Sequence, residues 1–158
     1  MPRPLYWSRQ RIPLVRVSLY RLIFMKNSIL FWLQAALLLA IAVAHAYALS
    51  VDLYWHYPLA NRIIHFSGGL WVALASVWLL AHQGLPHRFI RIMAVVIGVS
   101  IAWEIFEYAI GMTKQEANYV LDTSLDLLMD VVGGALGYFV AQFMVELTPN
   151  EGDETDPS

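Results

Sequence analysis

The chain has 158 residues, of which 59% are hydrophobic and 14% are charged. A soluble domain usually contains about 25% charged residues, so the composition excludes an ordinary soluble protein and indicates one membrane domain. There is no cysteine, which excludes disulfides and thiolate metal sites. The net charge of −2 conceals a segregation of charge, because residues 1–26 hold six basic residues and no acid.

The first predicted elements are a basic cytoplasmic arm at residues 1–26 and a membrane span at residues 27–49. About 20 apolar residues cross a bilayer, and this run is that long. A basic arm can also bind nucleic acid, but positive charge just before a span is what the positive-inside rule requires, so we expect no nucleic-acid partner. Cleavage as a signal peptide after Ala44-His45-Ala46 or after Ala46-Tyr47-Ala48 is a second alternative, although signal peptides have apolar regions of only about 7–15 residues.

Three further apolar runs predict spans at residues 63–81, 92–111 and 122–147. Residues 148–158 are polar and acidic, and predict a disordered cytoplasmic tail. Eight basic residues lie in the arm and in the loop with Arg88 and Arg91, whereas two, Arg62 and Lys114, lie on the other side. The sequence therefore predicts an all-α fold. The predicted fold is an integral membrane four-helix bundle over residues 27–147, with both termini cytoplasmic.

The ionisable residues of the predicted spans gather towards the outer leaflet. The set contains His65 of the second span, Glu104 and Glu107 of the third, and Asp122, Asp126 and Asp130 of the fourth. On a helix, four-residue steps advance about 40° each, so the three aspartates form one stripe. Gly133 and Gly137 share this stripe with the spacing that lets membrane helices approach closely, so we expect it to face other helices.

Five carboxylates in one leaflet predict a cation. A carboxylate at the centre of a membrane helix costs about 2.5–3.5 kcal/mol, and Arg62 is the nearest fixed positive charge. A divalent metal ion with oxygen and nitrogen ligands fits this composition. The candidate metal ligands are His65, Glu104, Asp126 and Asp130. Simpler roles are that Asp122 caps the fourth helix, Glu107 is solvated above the hydrocarbon, and His65 binds an acid without metal.

Three short motifs resemble those of a known group of membrane proteins. They are His65-Phe66, Trp103-Glu104-x-x-Glu107, and Asp122-x-x-x-Asp126-x-x-x-Asp130-x-x-Gly133-Gly134. In this order they resemble the VanZ-like and YjdF-type small bacterial inner-membrane proteins, over about residues 60–140. The resemblance implies a helical bundle in the bacterial envelope and supplies no reaction. Asn61 departs from the pattern of these proteins, because they often have an acidic residue at the matching position.

Three function classes remain in competition at this stage. The first is a metal-dependent membrane enzyme that acts on an envelope lipid, a cell-wall precursor or another phosphate-bearing molecule. No known nucleophile motif and no HExxH supports it. The second is a non-enzymatic accessory or structural membrane protein, either monomeric or a homo-oligomer. The third, an ion- or proton-coupled transporter, is least favoured because the chain has no internal repeat.

Overall fold

A computed structural model describes residues 14–83, 85–112 and 118–146, with side chains from residue 30 to residue 144 within those ranges. The helices are α1 (Leu14–Ser50), α2 (Leu53–His56), α3 (Pro58–His82), α4 (Phe89–Ile110) and α5 (Tyr119–Glu146), and these ranges hold no strand. The predicted all-α fold is thus confirmed. Helix α1 begins within the predicted arm, while residues 1–13 and the predicted tail lie outside the described residues.

Four of the helices have the length and apolar composition of membrane spans. The spanning segments are Leu30–Ser50, Pro58–His82, Phe89–Ile110 and Tyr119–Met144. The 22 residues of α4 reach about 33 Å at the usual rise per residue, which matches a hydrocarbon core about 30 Å thick. The four-helix membrane bundle is therefore confirmed, and the cytoplasmic placement of both termini stays a prediction.

The closest helix pair is α3 with α5, which run in the same direction. A Cβ atom at Gly69 would collide with the backbone of Asp130, and one at Gly133 would collide with the backbone of Phe66. Membrane helices gain little from hydrophobic association, so their contacts depend on small residues that allow close packing. The glycine stripe predicted to face other helices therefore packs on α3.

The other two spans run opposite to this pair and complete the bundle. Helix α4 packs against α5, where Gly134 leaves room for the side chain of Val96. Helix α1 packs mainly against α3, with the rings of Phe31 and Trp78 centred 5.5 Å apart. The largest fully buried side chains are Leu74, Ile92, Val77 and Val96. They fill the half of the bundle that is remote from α2, and the other half holds the polar residues.

Local sequence determines how the helices end near α2. Gly111 ends α4 with a φ of 81°, a left-handed conformation that glycine adopts without strain. Helix α5 begins one turn earlier than predicted, and the Asn118 side chain accepts from the backbone N–H of Leu121 at 3.3 Å. Asn118 therefore occupies the capping position that the sequence analysis gave to Asp122 as a simpler alternative role. Asp122 lies in the first turn, where its charge suits the positive end of the helix.

Candidate metal centre

The polar half of the bundle begins with two matched pairs on the parallel helices α3 and α5. Asn61 and His65 lie one turn apart on α3, and Asp126 and Asp130 lie one turn apart on α5. Asn61 Nδ2 donates to Asp126 Oδ2 at 2.8 Å, and His65 Nδ1 lies 3.0 Å from Asp130 Oδ2. Equal four-residue steps on adjacent parallel helices bring both pairs into register.

Helix α4 supplies the third wall through Glu104 and Glu107. Glu104 Oε2 accepts a hydrogen bond from Thr123 Oγ1 at 2.9 Å, while Glu104 Oε1 lies 3.8 Å from His65 Nε2. Asp126 Oδ2 lies at the same distance, 3.8 Å, from His65 Nε2. Glu107 joins from the next turn, because one ligand atom each from His65, Glu104 and Glu107 all lie within 4.8 Å of one another. We call His65, Glu104, Glu107, Asp126 and Asp130 the polar cluster.

Three buried atoms of the polar cluster have no hydrogen-bond partner among the described residues. They are His65 Nε2, Glu104 Oε1 and Asp126 Oδ1, on residues that are only 4%, 6% and 2% exposed. A buried polar atom without a partner costs about 1–3 kcal/mol, and more when it is charged, so such atoms are rare in folded proteins. The unpaired atoms His65 Nε2 and Glu104 Oε1 lie 3.8 Å apart, and the Asp126 carboxylate lies at the same distance from Nε2 through Oδ2. This arrangement indicates a binding site for a ligand between the three side chains.

A divalent cation fits the geometry of this place. Two ligands about 2.1 Å from a tetrahedral metal ion lie about 3.4 Å apart, so the 3.8 Å separations need to shrink by only a few tenths of an ångström. Asp130 holds the other ring nitrogen of His65, as a carboxylate commonly does for a metal-bound histidine. One nitrogen with several carboxylates suits Mn²⁺ or Zn²⁺.

The candidate ligand set that this geometry favours differs in composition from the predicted set. Asp130 contacts the Nδ1 side of His65, away from the unpaired Nε2. Glu107, which the sequence analysis placed among the polar residues with solvation as the simpler alternative, is buried and belongs to the group of close ligand atoms. The helical spacing Glu104-x-x-Glu107 places both side chains on one face of α4. Asp122 does not belong to this group of close ligand atoms.

A cavity of about 520 Å³ lies between this cluster and the end of the bundle that holds α2, and we call it the α2-end cavity. Glu107 and Asn61 line it on the cluster side, and Arg62, Asn118 and Asp122 line it further out. Arg62 Nε is buried and has no hydrogen-bond partner in the part of the chain that the structure describes. The cavity therefore offers a cationic donor close to the candidate metal centre.

Tyr54 of α2 borders the same cavity and is hydrogen-bonded to His45 of α1. The Tyr54 hydroxyl lies 2.8 Å from His45 Nδ1. Burial raises the pKa of Tyr54 to about 12, and the negative charge of Glu107 adds to this effect. The phenol therefore stays neutral at ordinary pH. The sequence analysis did not single out Tyr54, because only the fold brings α2 back against the end of α1, where His45 lies.

Comparison with known proteins places the chain in a family. Residues 11–146 match the family model described as predicted membrane protein (DUF2238). The chain belongs to the DUF2238 family. No curated protein and no solved structure matches it. DUF2238 membership supports the membrane location that the four apolar helices indicate, and the polar cluster lies within the matched residues.

Proposed function

We propose that this DUF2238 protein binds one divalent cation in its polar cluster and, through it, a phosphate-bearing molecule of the bacterial envelope. The proposal places the protein in the bacterial inner membrane, with both termini cytoplasmic and the α2-end cavity open to the outside. The observation that carries it is the position of the unpaired, buried His65 Nε2, which lies 3.8 Å from the unpaired Glu104 Oε1 and 3.8 Å from the Asp126 carboxylate, with Asp130 on the far side of the imidazole. Kinship with the VanZ-like and YjdF-type proteins is part of the proposal.

The balance of charge supports a cation in this cluster. Four carboxylates surround one histidine in the buried region, and no arginine or lysine of the described residues forms an ion pair with them. Separating such charges from water costs several kcal/mol per ion unless opposite charge compensates them. A divalent cation would supply two positive charges beside His65 Nε2 and Glu104 Oε1, the two unpaired atoms that face each other.

The α2-end cavity supports a phosphate group as the second ligand. Its walls hold Glu107, Asp122 and Asp52, so a bound anion needs positive charge from elsewhere. A metal ion next to Glu107 and the unpaired Nε of Arg62 would supply this charge from two sides. When bound, the ion would polarise a phosphoryl oxygen. Arg62 would hold and orient the phosphate, and Asn61 keeps the carboxylate of Asp126 in place through its hydrogen bond.

Metal content and Mn²⁺ binding test the cation. The protein purified in detergent should contain about one equivalent of Mn²⁺ or Zn²⁺ by elemental mass spectrometry. Calorimetry should show that Glu104→Gln and Asp126→Asn each weaken Mn²⁺ binding by at least about ten-fold. Asp130→Asn, which removes only the charged partner of His65, should weaken it by about 10–100-fold.

A matched control is Asp52→Asn, which removes a carboxylate from the cavity wall outside the cluster. It should leave Mn²⁺ affinity within about three-fold, because Asp52 lines the cavity and is not one of the carboxylates that approach His65 Nε2. A wild-type protein that holds no divalent metal and shows no Mn²⁺ heat signal would refute the proposal.

A non-enzymatic accessory role is the second candidate, and the hydrogen bonds of the cluster favour it. Asn61 with Asp126 and Thr123 with Glu104 join α3, α5 and α4 at the polar end. If the only role of the polar cluster were to hold α3, α4 and α5 together, Asp126→Asn would lower the free energy of unfolding equally with and without Mn²⁺. If the cluster binds metal, Mn²⁺ should stabilise only the wild-type protein.

A further inference from the structure

A second cavity of about 400 Å³ opens between α1, α3 and α4, and we call it the lateral cavity. Leu38, Ile41 and Ala42 of α1 form one wall, and Val72 of α3 and Val99 of α4 form much of the rest. His65 and Asp130 of the polar cluster also line it. The cavity therefore touches the candidate metal centre from the apolar side of the bundle.

The lateral cavity opens to the bilayer rather than to water. Leu38, Val99 and Trp103 line it and are also 43%, 46% and 38% exposed on the outer surface of the bundle. All three belong to segments long and apolar enough to span the membrane, so the medium at this opening is hydrocarbon. An apolar cavity continuous with a lipid-facing surface admits a hydrocarbon chain without loss of hydrophobic burial.

The linings of the lateral cavity and the α2-end cavity are joined by a hydrogen bond. His45 lines the former, Tyr54 lines the latter, and their side chains are hydrogen-bonded at 2.8 Å. The ring of His45 also packs edge-on against Trp103, with centroids 5.8 Å apart. The two cavities thus lie on either side of the polar cluster, one apolar and at bilayer depth, the other polar and at the helix ends.

We propose that the lateral cavity holds a hydrocarbon chain of a membrane lipid whose phosphate headgroup occupies the α2-end cavity. This inference rests on the proposed function, and it assigns the phosphate-bearing ligand to a lipid class instead of a water-soluble ester. The order of the two cavities, with the polar one at the helix ends, is that of a lipid in one leaflet. The cation and Arg62 face the headgroup, and α1 and α4 enclose the chain.

The test measures lipid retention by native mass spectrometry with phosphatidic acid as the probe. Protein in a non-ionic detergent with Mn²⁺ is mixed with equimolar phosphatidic acid and phosphatidylcholine. The wild type should retain phosphatidic acid preferentially, at a 1:1 ratio. Ala42→Phe, which places a ring in the lateral cavity, should reduce retention by about ten-fold. Ala44→Phe is the matched control, because Ala44 is exposed on the same helix and does not line the cavity.

Two further measurements separate this inference from the proposed function. Mn²⁺ affinity and binding of glycerol 3-phosphate should be the same in Ala42→Phe and wild type, which shows that the cluster and headgroup site remain intact. Normal Mn²⁺ binding with equal phosphatidic acid retention in the wild type, Ala42→Phe and Ala44→Phe would overturn the lipid-chain site alone. Equal retention of phosphatidylcholine and phosphatidic acid by the wild type would overturn the assignment of the phosphate headgroup to the α2-end cavity. Absence of Mn²⁺ binding in the wild type would refute the proposed cation centre, whatever the lipid result.

Discussion

At the scale of single residues, His65 connects the polar cluster through both of its ring nitrogens. His65 uses one ring nitrogen for Asp130 and presents the other to Glu104 and Asp126. The two nitrogens of an imidazole are distinct, and the partner of one determines what the other can do. The chemistry of the site therefore depends on Asp130 as much as on the residues that face the unpaired nitrogen.

Ionisation of Tyr54 gives a prediction at the same scale. Because its pKa is raised to about 12, about a tenth of its phenol should be ionised at pH 11. The folded state favours the neutral phenol of Tyr54. The contribution of the neutral phenol to stability is thus present below the pKa of about 10 that Tyr54 has in the unfolded chain, and it is lost as the pH rises through about 12.

The measurement is the difference in ultraviolet absorbance between the wild type and Tyr54→Phe during an alkaline titration in detergent. The subtraction removes the absorbance change of the other tyrosines. A phenolate step centred at about pH 10 would contradict the burial of this hydroxyl against α1.

At the scale of helices, the close approach of α3 and α5 holds the site together. Three glycines, Gly69, Gly133 and Gly137, lie where any Cβ would strike the backbone or a side chain of the other helix. This spacing brings Asn61 and His65 within hydrogen-bonding distance of Asp126 and Asp130. A wider separation of the helices would break both pairs together.

Gly133→Ala and Gly98→Ala form a matched test of this packing. An added methyl group at Gly133 meets the backbone of Phe66, so we expect a loss of about 1–3 kcal/mol in the free energy of unfolding. At Gly98 a Cβ meets nothing within 4 Å, so the same change should be neutral or stabilise α4 by up to about 1 kcal/mol. Unfolding in mixed micelles of increasing SDS content, followed by circular dichroism, measures both. Equal losses in the two variants would contradict the close crossing.

At the scale of the whole molecule, the bundle is divided by chemistry into two halves. The apolar half holds the core around Leu74 and Ile92, and the half near α2 holds the polar cluster and the α2-end cavity. The distribution of basic residues predicts that this polar half faces outward. The proposed binding of an envelope molecule depends on that orientation.

Cysteine labelling tests the orientation, since the chain has no cysteine of its own. Val51→Cys lies exposed beside α2, and Leu85→Cys lies exposed between α3 and α4. In intact bacterial cells whose outer membrane has been permeabilised, a thiol reagent that cannot cross the inner membrane should label Val51→Cys and spare Leu85→Cys. Lysis should make both reactive. The reverse pattern would place the polar half in the cytoplasm.

The amino-acid sequence by itself determined the fold class and the members of the polar cluster. Apolar runs of membrane length are local properties, so the four spans could be predicted from residue order alone. Helical periodicity is also local, and it placed Asp126, Asp130, Gly133 and Gly137 on one face of a single helix. These predictions needed no knowledge of which helix packs on which.

Only the tertiary structure decided which contacts each residue of the polar cluster makes. The pairing of α3 with α5 assigned Asp130 to His65 Nδ1, and the position of α4 brought Glu107 into the candidate ligand set. The start of α5 at Tyr119 made Asn118 the cap in place of Asp122. Each result depends on distances between segments far apart in sequence. Such distances follow from packing of whole helices, because periodicity within one helix carries no information about the position of another.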